Sequence, residues 1–292
     1  MAGINTNRTN ITLPTEVSTE IMQKTQEASA VMSLARKIAL PGRGLTIPVI
    51  TGDPEASWVD ETAIKPVSNP SLSTKIMQGY KLAVIVPFSD EFRRDMAGLY
   101  DALVARLPLA LAQKFDATVF HGTAPGSNFD TLASVAAHSI SGTGHSLYGA
   151  LVAADTAIAT AGGICNGFAI SPQGKGEMLG AVDNNKRPLF INSVAEGAVP
   201  RVLGNPVSYS KAVYKAGDSN TEDILGFAGD WTQAIYGTVN DVKIDMSDTA
   251  TLTISNALTS LWERNMFAVR AEIEIGFRCD TNCFAAITRV HA

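Results

Sequence analysis

The stretch from residue 51 to residue 79 limits how this chain can fold more than any other part of the sequence. It carries too few apolar side chains for a core of its own and is broken by Gly52-Asp53-Pro54, Lys65-Pro66 and Asn69-Pro70. Structureless segments of this length are uncommon inside a compact domain and usually have a function. We predict a two-stranded excursion that reaches roughly 40 Å from the body. A lone hairpin is marginally stable in water, so the excursion needs a neighbouring molecule to lie on.

Trp58 lies within this excursion and has no local core to bury it. Because Trp is enriched at contact hot spots, we expect it to pack against a partner. The charged residues nearby are expected to pair across the same contact, where they set register more than affinity. The candidate contact residues are Trp58, Asp60, Glu61, Lys65, Glu91, Arg93 and Arg94. The alternative for each charged residue is an ordinary solvated surface position.

The composition describes a globular protein with a surface poor in charge. Of 292 residues, 46% are hydrophobic and 17% are charged, which suits contact with protein partners, although an ordinary Ala-rich bacterial protein has a similar profile. The net charge of −5 and the absence of a basic block argue against tight nucleic-acid binding. The three cysteines are too few for a disulfide framework and indicate a reducing compartment.

Neither a signal peptide nor a membrane span is expected. The N-terminus lacks a basic region followed by an apolar one. The most apolar long stretch, Leu147 to Cys165, contains Asp155 and three glycines, which is unlike a membrane-spanning helix. We therefore expect a protein that is made and folded in a cytoplasm.

Helical and extended patterns alternate through the first half. Residues 1–13 are polar and predict a flexible arm, residues 15–37 predict a helix, and residues 38–50 look extended. Lys75 to Val86 predicts a strand that ends at Pro87. A long helix is then expected from an N-cap at Ser89 to about Phe120, kinked at Pro108 and stopped at Gly122. Its apolar stripe is Phe92, Met96, Leu99, Leu103, Leu107, Leu111 and Phe115.

The second half mixes short strands with two helices. After a loop over residues 122–144, Ser146 is expected to cap a helix that stops at Gly162-Gly163. A buried strand, Phe168 to Ile170, leads into a helix that starts at Ser171-Pro172. Short strands are expected within 184–240. The clearest strand is Phe267 to Ile275, whose odd positions are apolar, and Phe284 to Val290 is expected to pair with it.

Motifs for chemistry are weak. Gly144-His145-Ser146 resembles part of a nucleophile elbow but lacks its second Gly, and Ser146 is better explained as a helix cap. Gly174-Lys175-Gly176 lacks the spacing of a phosphate loop. Cys279, Cys283 and His291 fall short of a closed zinc site. The sequence therefore predicts no catalytic residue, no cofactor and no metal.

The order of these parts resembles the Hong Kong 97-type major capsid protein of tailed phages over nearly the whole chain. The motifs that carry the resemblance are Leu13-Pro14-Thr15-Glu16-Val17, Trp58-Val59-Asp60-Glu61 with Lys65-Pro66, Val86-Pro87-Phe88-Ser89-Asp90-Glu91, Phe115-Asp116-Ala117 with Phe120-His121-Gly122, Ala169-Ile170-Ser171-Pro172, Gly229-Asp230-Trp231-Thr232-Gln233-Ala234 and Asn265-Met266-Phe267-Ala268-Val269-Arg270-Ala271-Glu272. Each motif is weak alone, and their order and spacing together are specific.

The resemblance implies an α+β fold with an N-terminal arm, an extended E-loop, a peripheral domain with a long spine helix, and an axial domain. The expected ranges are 1–37 for the arm, 38–87 for the E-loop region, 88–165 for the peripheral domain, 166–240 for the axial domain and 241–292 for return strands of the peripheral domain. Because the chain begins directly with the arm, it resembles members served by a separate scaffolding protein or by none.

The function that the resemblance implies is self-assembly, as hexamers and pentamers, into an icosahedral shell around phage double-stranded DNA. The expected partners are other copies of the chain, a separate scaffolding protein and a portal, with DNA enclosed but not read, and the expected location is the virion. An encapsulin-like compartment or a gene-transfer-agent shell is the alternative with the same fold. A cytoplasmic serine hydrolase that uses Ser146 and a His is the alternative among enzymes.

Overall fold

A computed structural model of the chain describes residues 24–26, 28–42, 44–50, 58–59, 64–65, 67, 72–91, 96–141, 146–183, 185–190, 199, 201–240, 242–254 and 257–291. The helices are α1 (Ala30–Leu34), α2 (Met96–His121), α3 (Leu147–Thr160) and α4 (Pro172–Gly180). The strands are β1 (Arg36–Ala39), β2 (Leu45–Ile50), β3 (Leu72–Met77), β4 (Tyr80–Ser89), β5 (Ala136–Ser139), β6 (Gly167–Ile170), β7 (Arg201–Val202), β8 (Asn205–Tyr209), β9 (Asp223–Gly229), β10 (Ala234–Thr238), β11 (Lys243–Ser247), β12 (Thr251–Ile254), β13 (Ala257–Ser260), β14 (Met266–Cys279) and β15 (Phe284–Arg289).

A five-stranded sheet is built around β14, the longest strand. β4 pairs antiparallel along one side of it, while β11 and β10 share the other side and β1 lies parallel beyond β10. Side chains alternate between the two faces of a strand, and the inward face of β14 packs against α2. The core of this contact contains Leu107, Leu111, Phe267, Val269, Ala271 and Ile273.

A six-stranded sheet has the order β5-β15-β9-β6-β8-β7. Its central strand β6 is buried along its whole length. α3 covers one face, and its buried stripe joins a core with the sheet and with Met178 of α4. That core includes Leu151, Ala154, Ile158, Phe168, Ile170, Ala285 and Ile287.

The largest apolar cluster joins the two sheets at the C-terminal end of α2. The ring of Phe120 stacks on that of Phe227 at 5.0 Å between centroids, and Trp231 meets Phe284 edge to face at 5.2 Å. Aromatic pairs of this kind add stability beyond the area that they bury. One continuous core therefore runs from α1 and α2 into both sheets.

Several local predictions are confirmed. α2 ends at His121, just before Gly122. Pro108, where a kink was predicted, lies inside the helix and does not interrupt it. The hydroxyls of Ser146 and Ser171 accept hydrogen bonds from the N–H groups of Gly149 and Gly174, both at 3.0 Å, and cap α3 and α4. β14 shows the expected alternation of buried and polar positions.

The start of the long helix lies partly outside the described residues: the Ser89 hydroxyl accepts the Glu91 N–H at 3.4 Å, as in the predicted cap, and the described part of the helix begins at Met96. Other predictions about local structure are wrong. The predicted strand from Lys75 is two strands, because β3 ends at Met77 and pairs with β2, whereas β4 begins at Tyr80 and pairs with β14. The first helix ends at Leu34, since the next residues pair with β10. The predicted loop 122–144 contains β5.

The partner of the last strand is also corrected. β15 pairs with β9 and β5 in the six-stranded sheet and not with β14. Strand pairing likewise crosses the predicted domain ranges, because β5 lies with the second sheet and β10 with the first. The peripheral and axial roles of these ranges stay a prediction. The arm over residues 1–13 lies outside the described residues.

Candidate assembly surfaces

The β2–β3 hairpin pairs with no other strand among the described residues. Leu45 lies opposite Met77 at its base, and Ile50 lies opposite Leu72. Six residues in each strand give a ribbon about 20 Å long. A two-stranded ribbon is therefore present, and its first strand, β2, lies before the range 51–79 that was predicted for the excursion.

The described residues between the two strands expose large apolar side chains. The exposed fraction is 105% for Trp58, 95% for Ile64 and 85% for Val67. Exposed apolar groups gathered in one segment mark sites of protein interaction. Trp58 is therefore not packed against its own chain, and its contact with a partner stays a prediction.

The charged contact candidates divide into described and undescribed residues. Lys65 and Glu91 are exposed, and Glu91 donates its backbone N–H to the Ser89 hydroxyl at 3.4 Å. Asp60, Glu61, Arg93 and Arg94 lie outside the described residues. Pairing among these groups across a contact stays a prediction.

Arg278, which the sequence analysis did not single out, ties the base of the hairpin to the body. Its Nε and Nη2 atoms both donate to the Ile76 carbonyl, at 2.8 and 2.6 Å, and Nη1 donates to the Asp130 carboxylate at 2.7 Å. Lys75 donates to the Cys279 carbonyl at 2.9 Å. A signal for Arg278 was available in the sequence. Arg270, Glu272, Glu274, Gly276 and Arg278 occupy every second position, so Arg278 continues the non-apolar face of β14.

Asp116 on α2 fastens the segment that precedes β1. Its buried carboxylate accepts hydrogen bonds from the Ser29 hydroxyl at 2.5 Å and from the N–H groups of Ala30 and Val31 at the start of α1. The Ser210 hydroxyl, next to β8, donates to the same group at 3.0 Å. Burial raises the pKa of Asp116, and the hydrogen bonds oppose that shift. One carboxylate thus joins the spine helix, the N-terminal segment and the second sheet.

The β12–β13 hairpin is a second exposed apolar feature that the sequence analysis missed. Among the described strands it pairs only within itself. Leu258 is 80% exposed, and Trp262, in the turn after β13, is 72% exposed. A signal for this hairpin was available in the sequence, in the alternating threonines Thr251 and Thr253 and in Trp262.

Ser146 is occupied as a helix cap. It also lines a hollow of about 320 Å³ together with His138 of β5 and small residues of α3. The described residues that line this hollow include no Asp or Glu, whereas a Ser–His pair in hydrolases is oriented by a third, acidic group. The geometry therefore favours the capping role.

The cysteines behave as small core residues. Cys165, Cys279 and Cys283 are free and buried, and burial raises the pKa of the Cys165 thiol to about 11. In the described ranges, no group of three His, Cys, Asp or Glu side chains could hold a metal ion. The helices of the described part include none with the length and apolarity to cross a membrane.

Comparisons with known proteins agree with the predicted α+β capsid fold. Solved chains from Mycobacterium phage Bobi and Mycobacterium phage Ogopogo match with TM-scores of 0.71 and 0.72 at 19% and 17% identity. The first match covers 100% of this chain and 96% of the other, and the second covers 90% and 92%. A chain from the capsid of a native GTA particle matches with a TM-score of 0.64 at 14% identity, covering 99% and 96%.

Sequence similarity extends over the same length. The probable major capsid proteins gp17 of Mycobacterium phages D29 and L5 are each 29% identical to this chain, over 95% and 96% of it and 90% of their own length. The family model described as the phage capsid family matches residues 9–284. With the fold, the exposed hairpin and this match taken together, the chain belongs to the phage capsid family.

Proposed function

We propose that copies of this phage major capsid protein assemble as hexamers and pentamers into an icosahedral shell that encloses double-stranded DNA. The observation that carries the proposal is the exposed apolar group on the hairpin, Trp58, Ile64 and Val67. Burial of apolar surface drives protein association, and these side chains have no cover in their own chain. A neighbouring copy supplies that cover in the proposed shell.

The hairpin contact is proposed to combine an apolar anchor with a charged rim. Trp58 is the anchor, and Asp60, Glu61, Lys65, Glu91, Arg93 and Arg94 are the candidate rim residues. Exposed ion pairs contribute little free energy, whereas complementary charges fix orientation. A shell needs only modest affinity at each contact because many contacts act together.

The interior of the proposed shell holds DNA without reading its sequence. The net charge of −5 and the lack of a basic block supply no cluster of Lys and Arg for tight binding to phosphates. A separate scaffolding protein and a portal are the further proposed partners. Assembly is proposed to take place in the cytoplasm of the bacterial host.

The proposed role is structural and needs no catalytic residue. The hydroxyl of Ser146 is used at the start of α3, and the buried thiol of Cys165 has a raised pKa that keeps it protonated at neutral pH. Thiols react as thiolates, so this cysteine is a poor nucleophile.

Negative-stain microscopy of the purified chain, followed by an assay of particle content, tests the proposal. We expect closed particles tens of nanometres across, a size that a small oligomer would not reach. Particles that are recovered from phage-infected cells should hold nuclease-protected DNA. A compact monomer would overturn the proposal, and particles filled with a protein cargo would instead favour an encapsulin-like compartment.

A further inference from the structure

The base of the β2–β3 hairpin packs on the five-stranded sheet where two neighbouring glycines leave room for it. Gly237 of β10 and Gly276 of β14 are paired directly across the sheet. Met77, which is fully buried, lies over both: its Sδ and Cγ atoms are 3.1 Å from the positions that Cβ atoms on Gly237 and Gly276 would take. We call this pair of glycines the socket of the hairpin.

Polar bonds hold the residues on either side of Met77. The guanidinium of Arg278 is only 11% exposed, and it bridges the Ile76 carbonyl to Asp130 in the loop after α2. It also donates to the Asn128 side chain at 3.1 Å. The planar fork of arginine can serve several acceptors in fixed directions, which the single ammonium of lysine cannot do.

These contacts lie within a few residues of the point where the ribbon leaves the body. The rest of β2 and β3 pairs only within the hairpin in the described structure. A two-stranded ribbon with a loose base would tilt, and the displacement of its far end would grow with its length. The bonds at Ile76 and the packing of Met77 therefore fix the direction of the whole ribbon.

We propose that Arg278 is a positioning residue that, with the glycine socket, sets the direction of the hairpin and hence the part of a neighbouring copy that it reaches. This inference rests on the proposed shell function, because direction matters only if the hairpin docks on another copy. Arg278 takes no part in the contact itself. It acts through the backbone of β3.

The variant Arg278→Lys tests the proposal, since it keeps the charge and removes the fork. Arg270→Lys is the matched control: Arg270 lies on the same strand and bonds Asp245 at 2.7 Å, away from the hairpin. We expect amide hydrogen exchange in β2 and β3 to become about tenfold faster in Arg278→Lys, since the loss of one strong hydrogen bond to a charged group should reduce the protection to about one tenth. Exchange in β10 and β14 should stay near that of the unaltered chain.

Assembly is measured on the same samples by electron microscopy. We expect Arg278→Lys to lose closed particles of uniform size, while Arg270→Lys assembles like the unaltered chain. Uniform closed particles from Arg278→Lys, or unchanged exchange in the hairpin, would overturn the proposal. If the unaltered chain forms no particles, the shell function fails, and the exchange comparison alone then decides whether Arg278 fixes the hairpin.

Further variants cover the case in which Arg278→Lys does not fold. Lys75→Met removes the bond to the Cys279 carbonyl, and Lys81→Met on β4 is its control. Gly276→Ala places a Cβ atom 2.5 Å from the Gln78 carbonyl, which forces the base to shift. The proposal is supported if Lys75→Met and Gly276→Ala show faster exchange in β3 and form irregular particles, while Lys81→Met does neither. Normal particles from both Lys75→Met and Gly276→Ala refute it.

Discussion

Asp116 links three segments of the chain through its buried side chain. Its carboxylate receives two hydroxyl and two backbone N–H donors. Two of these donors belong to the first turn of α1, where the partial positive charge of a helix terminus favours an anion. A buried charge is tolerated only with such compensation, so the group and its donors depend on one another.

We predict that Asp116→Ala lowers the free energy of unfolding by about 3 kcal/mol, because it leaves buried donors without acceptors. Asp116→Asn should lower it by less, since the amide oxygen still accepts. Urea unfolding monitored by circular dichroism measures both. Asp155→Ala, on the half-buried side of α3, is the control, and a loss for Asp116→Ala no larger than the control's would contradict the prediction.

Asp223 should give the fold an acid-sensitive component. Its buried carboxylate accepts from the Gly217 N–H at 2.8 Å and from Arg289 at 2.9 Å, and it contacts His291 at 2.7 Å. These bonds, the one from Gly217 first, hold the pKa of Asp223 well below its usual range. A lowered folded pKa gives stability that is complete above the unfolded value of about 3.9 and is lost as the pH falls through the folded value.

The expected result is that the urea midpoint of the unaltered chain falls between pH 5 and pH 2.5, and that Asp223→Asn reduces this fall. Asp155→Asn, on α3, serves as the control. An equal fall of the urea midpoint in the unaltered chain and in Asp223→Asn would show that other groups cause the loss of stability in acid.

At the scale of elements, local signals set the ends of the helices. The cap at Ser146 and the stop at Gly162, which takes a positive φ of 86°, both depend on residues next to the helix. We predict that Ser146→Ala destabilises the chain by about 1 kcal/mol and that Ser146→Asn restores most of the loss. Thermal unfolding measures both variants, and an unaffected Ser146→Ala would remove the capping role.

Strand partners could not be predicted in the same way. The apolar pattern of β15 fits either sheet, and the choice is made by β9 and β5, which lie far away in sequence. Arg278 was missed for the same reason, because its acceptors at Asp130 and Ile76 are 148 and 202 residues distant. Trp58, by contrast, stands out in the sequence because its own neighbourhood lacks a core, and the structure shows it exposed, while its contact with a partner stays a prediction.

At the scale of the whole molecule, folding and assembly should respond to different residues. Trp58→Ala is expected to leave the thermal midpoint unchanged, because Trp58 is exposed in the single chain, and to reduce particle yield. Trp231→Ala, in the shared core, should instead cost about 3–5 kcal/mol. Calorimetry and particle counts by microscopy give the two readouts. Full particle yield from Trp58→Ala would exclude it as an anchor.

The order of strands along the chain has a consequence for synthesis. β14 lies at the centre of one sheet and β15 lies inside the other, and these two are the last of the described strands in sequence. A growing polypeptide on the ribosome therefore cannot close either sheet until these two strands emerge, although domains generally fold as units from the N-terminus. A nascent chain therefore leaves strand edges unpaired and apolar surface uncovered until translation is nearly over, and such exposed surfaces make unfinished chains prone to aggregate.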